Sequence, residues 1–255
     1  MSTLTQSFSY SIGKKLIMGL TGLFLVLFLV VHLVGNLLLI SGPEAFNEYA
    51  EFMGSNLIIR IAEIGLFAIF LVHIVNGLLI SIKNGKARPV KYAVNAGKAN
   101  SSWFSRNMKW TGIFILVFLI LHLLSFFLTS RFGVDIGLGI SEVFNYTQPG
   151  MEGLSAEPIS LWHKSAAQFT VDWYVAIYVI AMIFMIFHLN HGFQSAFQTL
   201  GLNHKKYTPL IKATGKGFSF LVSLGFAAIP VYFLVLKYTG GLVEYFTGPH
   251  FGIMH

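Results

Sequence analysis

Four histidines of this chain sit inside long apolar runs, and they fall into two repeat-related patterns. Thr21-Gly22-Leu23-Phe24 leads through bulky apolar residues to His32-Leu33, and Thr111-Gly112-Ile113-Phe114 leads in the same way to His122-Leu123. A shorter pattern sets His73 four residues before Gly77, and His188 four residues before Gly192. An ionisable side chain inside a membrane segment is costly and usually functional. Neutral imidazole is a good iron ligand, so a doubled set of four points to a metal cofactor bound twice.

Depth along the helices sorts the four into pairs. At about 1.5 Å per helical residue, His32 lies roughly 25 Å beyond Lys15 and His122 roughly 20 Å beyond Lys109. On the same rise His73 lies about 15 Å before Lys83, and His188 falls in the same half as His73. The expectation is therefore one layer with His32 and His122 and another with His73 and His188, each pair gripping one iron from opposite faces. Haem suits such layers, because bundle cores hold cofactors between facing helices. Room for a porphyrin is expected from the small residues Gly35 and Ser125, Gly77 and Gly192, and Gly22 and Gly112 near the histidines. Zinc would need three or four ligands converging at one depth. A lone buried histidine can equally hydrogen-bond a neighbouring helix, and glycines can simply let helices pack closely. His191 could replace His188, but the histidine-to-glycine spacing favours His188. His163, His204, His250 and His255 fall in loops or the tail and read as surface groups.

The elements that must carry these residues are membrane helices. Of 255 residues 55% are hydrophobic and only 11% charged, with mean hydropathy +0.70; soluble domains carry about 25% charged residues. Apolar runs near 16–40, 57–82, 107–130, 172–198 and 217–238 each exceed the roughly 20 residues a bilayer needs. The expected fold is an all-α membrane protein with five transmembrane helices. The first four would form a haem-binding antiparallel bundle with an internal two-fold repeat, and the fifth, without histidine, would pack against it. The short alternating segments of a β-barrel are absent from the sequence. The first run is too long for a signal-peptide core and reads as a retained span. A short interfacial helix is expected over 42–56, and a helical turn around 159–168.

Charge suggests orientation. With a cytoplasmic amino terminus, only Arg60, Arg131, Lys164 and Lys237 of the 17 basic residues face outward, and all ten Asp and Glu fall on or near the outer side. That asymmetry obeys the positive-inside rule and puts the carboxyl terminus outside, in a cell inner (cytoplasmic) membrane. The net charge of +7 is thus a basic inner face, suited to anionic lipid or a docked protein and not to nucleic acid. The chain has no cysteine. Thiolate-ligated haem, covalent c-type haem and cysteine-held iron–sulfur clusters are excluded from it.

TGLFLVLFLVVHL at 21–33, HIVNG at 73–77, TGIFILVFLILHL at 111–123 and HLNHG at 188–192 resemble the single-chain, di-haem cytochrome b membrane anchors of succinate:quinone oxidoreductases and fumarate reductases, the complex II family. The resemblance covers the whole length. It implies a distal haem b on His32 and His122, a proximal haem b on His73 and His188, and a membrane quinone, expected to be menaquinone. It also implies a flavoprotein subunit and an iron–sulfur subunit docked on the cytoplasmic face, where the dicarboxylate chemistry would occur. Glu63 and then Glu51 are the candidates for proton exchange with quinone; the alternative for Glu63 is an ion pair with Arg60 one turn away. Lys14, Lys15, Lys83, Arg106 and Lys109 are candidate partners of the inner haem propionates, or ordinary positive-inside residues. A glutamate that some family members carry in the fourth helix is missing, since that stretch reads Met185-Ile186-Phe187. The rival readings are another di-haem quinone cytochrome, which usually sets two histidines on one helix, and a non-redox transporter built on an internal repeat.

Overall fold

The structure is a computed structural model and describes residues 11–86, 103–132 and 160–242. The expectations for the polar lead, the basic loop after Lys86, most of the long connection and the tail lie outside the described residues. So do Arg88, Lys91, Lys98, Asp135, Glu142, Glu152, Glu157, Glu244, His250 and His255.

Helix α1 spans Ser11–Ser41, α2 Pro43–Ser55, α3 Leu57–Lys86 and α4 Trp103–His122. Helix α4 runs on as a π-helical stretch, Leu123–Leu128, and a closing turn, Thr129–Phe132. Then follow α5 Leu161–Gln168, α6 Asp172–Thr199 and α7 Thr208–Thr239. No strand occurs among the described residues, and five of the helices are long and apolar enough to cross a membrane. The protein is an all-α, multi-pass membrane protein. Helix is what such sequences must form, because lipid offers no partner to an open backbone N–H or C=O. Large apolar side chains such as Leu27, Ile61, Leu71 and Leu221 accordingly remain exposed for lipid.

Helix ends follow local chemistry. Gly42, at φ 111°, adopts a conformation closed to most residues and stops α1. Pro43 then opens α2 with Glu44 in its first turn, both favourable at a helix amino terminus. Lys83 and Lys86 close α3, where cations complement the helix dipole. Gly201, at φ 78°, ends α6 with Leu202 N donating to Phe197 O and Gly201 N donating to Gln198 O, a Schellman closure. Helix α7 starts at Thr208, earlier than the apolar run suggests, because Lys212 and Lys216 interrupt the hydropathy without interrupting the helix.

The described chain divides into two compact units. Unit 1 comprises the described residues within Met1–His32, Leu57–Leu116 and Ile183–Ser223, and unit 2 those within Leu33–Asn56, Val117–Met182 and Leu224–His255. In unit 1, Asn76 is buried on α3 and donates from Nδ2 to Lys14 O on α1 at 2.6 Å. Gly19 meets the Ala196 backbone, with only 3.6 Å left for an added Cβ, and Phe114 stacks on Phe184 at 4.1 Å.

Unit 2 is built around Trp162 on α5. Its indole donates to Leu39 O at 2.8 Å and its backbone N to Asn47 Oδ1 at 3.1 Å. Leu39 lies in the last turn of α1, where carbonyls have no helical donor, and Pro43 brings no N–H. Trp162 therefore satisfies a carbonyl that the chain itself leaves open. The Ser160 hydroxyl accepts from His163 N and caps α5. Here one expectation is corrected: His163 is buried at 5% exposure, with Nδ1 2.7 Å from Ser160 Oγ. It packs inward because α5 seals against α2 instead of lying open on the surface.

Candidate metal centre

Within unit 1 the two halves of the repeat build the same contact twice. Helix α1 sets Thr21 and Gly22 against His73 of α3, and α4 sets Gly112, which follows Thr111, against His188 of α6. A Cβ placed on Gly22 would stand 3.4 Å from His73 Cε1, and one on Gly112 would stand 3.4 Å from His188 Cε1. The glycines therefore let each imidazole approach the neighbouring helix closely with its Cε1–Nδ1 edge. Methionines extend the match: Met18 Cε faces Gly77 at 3.2 Å from a built Cβ, and Met108 Cε faces Gly192 at 3.8 Å. The repeat is thus Met-x-x-Thr-Gly, and its methionines escaped the sequence reading although the spacing was visible.

The two imidazoles come together. The ring centres of His73 and His188 are 6.5 Å apart, with their planes at 69°. Two imidazoles on opposite sides of one metal would stand roughly 6 Å apart, given metal–nitrogen bonds of about 2 Å on each side and about 1 Å from nitrogen to ring centre. Thr21 Oγ1 lies 3.0 Å from His73 Nδ1, which leaves Nε2 for a ligand. Nδ1 of His188 is buried and has no hydrogen-bond partner. His191, one turn on, occupies the repeat position of Asn76, a helix-bridging residue, and this supports His188 as the facing ligand.

These residues fit a haem. Two facing neutral imidazoles, each beside a glycine, would hold the iron of such a group through His73 and His188 and leave its other positions to a macrocycle. Among the described residues no group of three or more His, Cys, Asp or Glu side chains converges, so a zinc-type ligand set has no counterpart there.

The other two histidines fall in different units. His32 stacks on Phe28 with ring centres 5.2 Å apart in unit 1. In unit 2, His122 Nδ1 lies 2.8 Å from Tyr178 Oη, and the Tyr174 hydroxyl donates to Tyr178 at 3.2 Å. Both tyrosines are buried. Ser125 and Gln168 lie against Tyr174. The π-helical turn that starts directly after His122 carries Ser125 into this cluster; such turns often mark functional sites. Tyrosines four residues apart in an apolar helix gave no sequence signal. One expectation of open space is corrected too. Gly35 does not leave room beside His32, because Tyr49 fills it: an added Cβ would come within 2.5 Å of Tyr49 Oη. Burial also pushes the Tyr49 hydroxyl above its usual range.

The charged candidates scatter. Glu63 is ion-paired to Arg60 at 2.7 Å, and Glu51 is exposed on α2. Lys14 and Lys15 lie in the first turns of α1 and Lys83 in the last turn of α3. Arg106 and Lys109 lie near the start of α4, with Lys109 Nζ 5.2 Å from the Trp110 ring centre. All five are in unit 1, the unit that holds His73 and His188. Compared with family models, curated proteins and solved structures, the chain matches none.

Proposed function

We propose that the protein is a di-haem b cytochrome of the membrane, serving as the quinone-reactive anchor of a succinate dehydrogenase or fumarate reductase. The observation that carries this reading is the facing of His73 and His188 at 6.5 Å, with His73 Nδ1 against the Thr21 hydroxyl. The second pair, His32 and His122, rests on the sequence repeat. A bound b haem supplies reversible one-electron transfer within the membrane.

This chain's residues would then do three things. The imidazoles offer neutral nitrogen to iron from separate helices, and the apolar surround keeps water from the metal and helps set its potential. Lysines and arginines at the basic end attract an electron-delivering partner and meet propionates. With no cysteine in the chain, cysteine-held iron–sulfur centres would belong to a partner subunit, and the family resemblance adds a flavoprotein, both docked on a cytoplasmic basic face. Glu63 or Glu51 would exchange protons with a quinone, which takes or releases two electrons and two protons.

The test is purification of the native complex from membranes. Co-purifying flavoprotein and iron–sulfur subunits, b-type absorbance, and quinone-linked succinate oxidation or fumarate reduction are expected. Absorbance without those partners would assign the chain to another quinone cytochrome; no absorbance would end the redox reading.

A further inference from the structure

We infer that Thr21 and Thr111 are matched positioning residues, each hydroxyl accepting the Nδ1–H of the imidazole on the neighbouring helix, His73 and His188 respectively. The inference rests on the haem reading above and concerns what orients the ligands. Its first half follows from counting protons. Thr21 Oγ1 is 2.7 Å from Ile17 O and 3.2 Å from Met18 O, and a carbonyl only accepts, so the single hydroxyl proton is engaged there. Toward His73 Nδ1, 3.0 Å away, the same oxygen can then only accept. Nδ1 must carry the ring proton, and Nε2 is the bare nitrogen a metal needs.

The second half is the repeat partner. Thr111 is buried at 2% exposure and donates to Met108 O at 3.0 Å. Its proton is engaged as that of Thr21 is, and its lone pairs remain. Gly112 holds His188 as Gly22 holds His73: built Cβ atoms lie 3.8 Å and 3.9 Å from the respective Nδ1 atoms. Yet His188 Nδ1 has no partner. A buried ring nitrogen without a partner is costly, and a threonine acceptor stands one residue before the glycine on which the ring rests. An Nδ1–H of His188 would have the Thr111 hydroxyl as its nearby acceptor, as that of His73 has the Thr21 hydroxyl. Second partners of this kind fix ring tautomer and orientation and raise ligand basicity.

The experiment compares Thr21→Val, Thr111→Val, Thr21→Ser and Thr111→Ser in the holo-complex. The midpoint potential and the low-spin resonance spectrum of the haem bound by His73 and His188 are read in each. Valine keeps the shape and removes the acceptor, so each valine variant should raise that potential and shift that spectrum, with the other haem unchanged. Serine should restore both readings. Valine variants indistinguishable from the parent would overturn the inference, and so would a shift in Thr21→Val alone. Shifts that serine fails to reverse would make the threonines packing residues and overturn it as well. A parent complex without b-type absorbance would refute the haem reading first, a result distinct from any of these.

Discussion

A valine at Gly22 should cost the protein one haem where an alanine does not. An added Cβ would lie 3.4 Å from His73 Cε1, which is ordinary contact, so Gly22→Ala should load normally. Valine adds two Cγ atoms about 1.5 Å farther out, and in a helix its side chain has essentially one rotamer. A methyl then falls well inside contact distance of the imidazole, and the ring must move by about 1 Å. Ligand constellations tolerate roughly 0.5 Å of displacement, and overpacking of this kind costs about 1–3 kcal/mol, roughly five- to 150-fold in loading. Gly112 meets His188 at the same 3.4 Å, so Gly112→Val should show the same loss. The assay is haem per chain by pyridine haemochrome on protein in detergent, beside a chromatographic check of folding. Full loading of both valine variants would refute the packing argument, and so would a loss in only one.

Three further outcomes are expected. Trp162→Phe leaves Leu39 O without its donor and should lower stability by about 1–3 kcal/mol; unchanged unfolding in a denaturing-detergent titration would show that the carbonyl finds another partner. Tyr178→Phe removes the group at His122 Nδ1 and should shift the resonance signal of one haem only, leaving that of the His73–His188 pair in place; two shifted signals or none would contradict this. Glu63→Gln should slow quinone turnover with haem content intact, whereas unchanged turnover would leave Glu63 as the structural partner of Arg60.

Much of the fold was legible because length alone decides it: an apolar run of some 20 residues has only the helix open to it in lipid. Even the short helices α2 and α5 were expected, the first after the Gly-Pro break at Gly42 and the second as a helical turn around 159–168. Ends were less legible. Lys212 and Lys216 lowered the hydropathy of the first turns of α7, and hydropathy is not what holds a helix together. The histidines stood out because an ionisable group in an apolar run is costly and usually functional. What the Thr-Gly pairs serve did not stand out. Sequence ties Thr21 to His32 on its own helix, while the structure ties it to His73 on the next, a contact that needs helix packing to exist. His163 was misread for the opposite reason. Its place in a long connection suggested the surface, but Trp162 and Ser160 carry it inward.

The most direct measurement is the number of haems per chain in the parent protein and in His73→Ala, His188→Ala and His204→Ala. The account gives two b haems in the parent and in His204→Ala, and loss of the same single haem in each of the other two. Two haems retained in His73→Ala, or none in the parent, would contradict it.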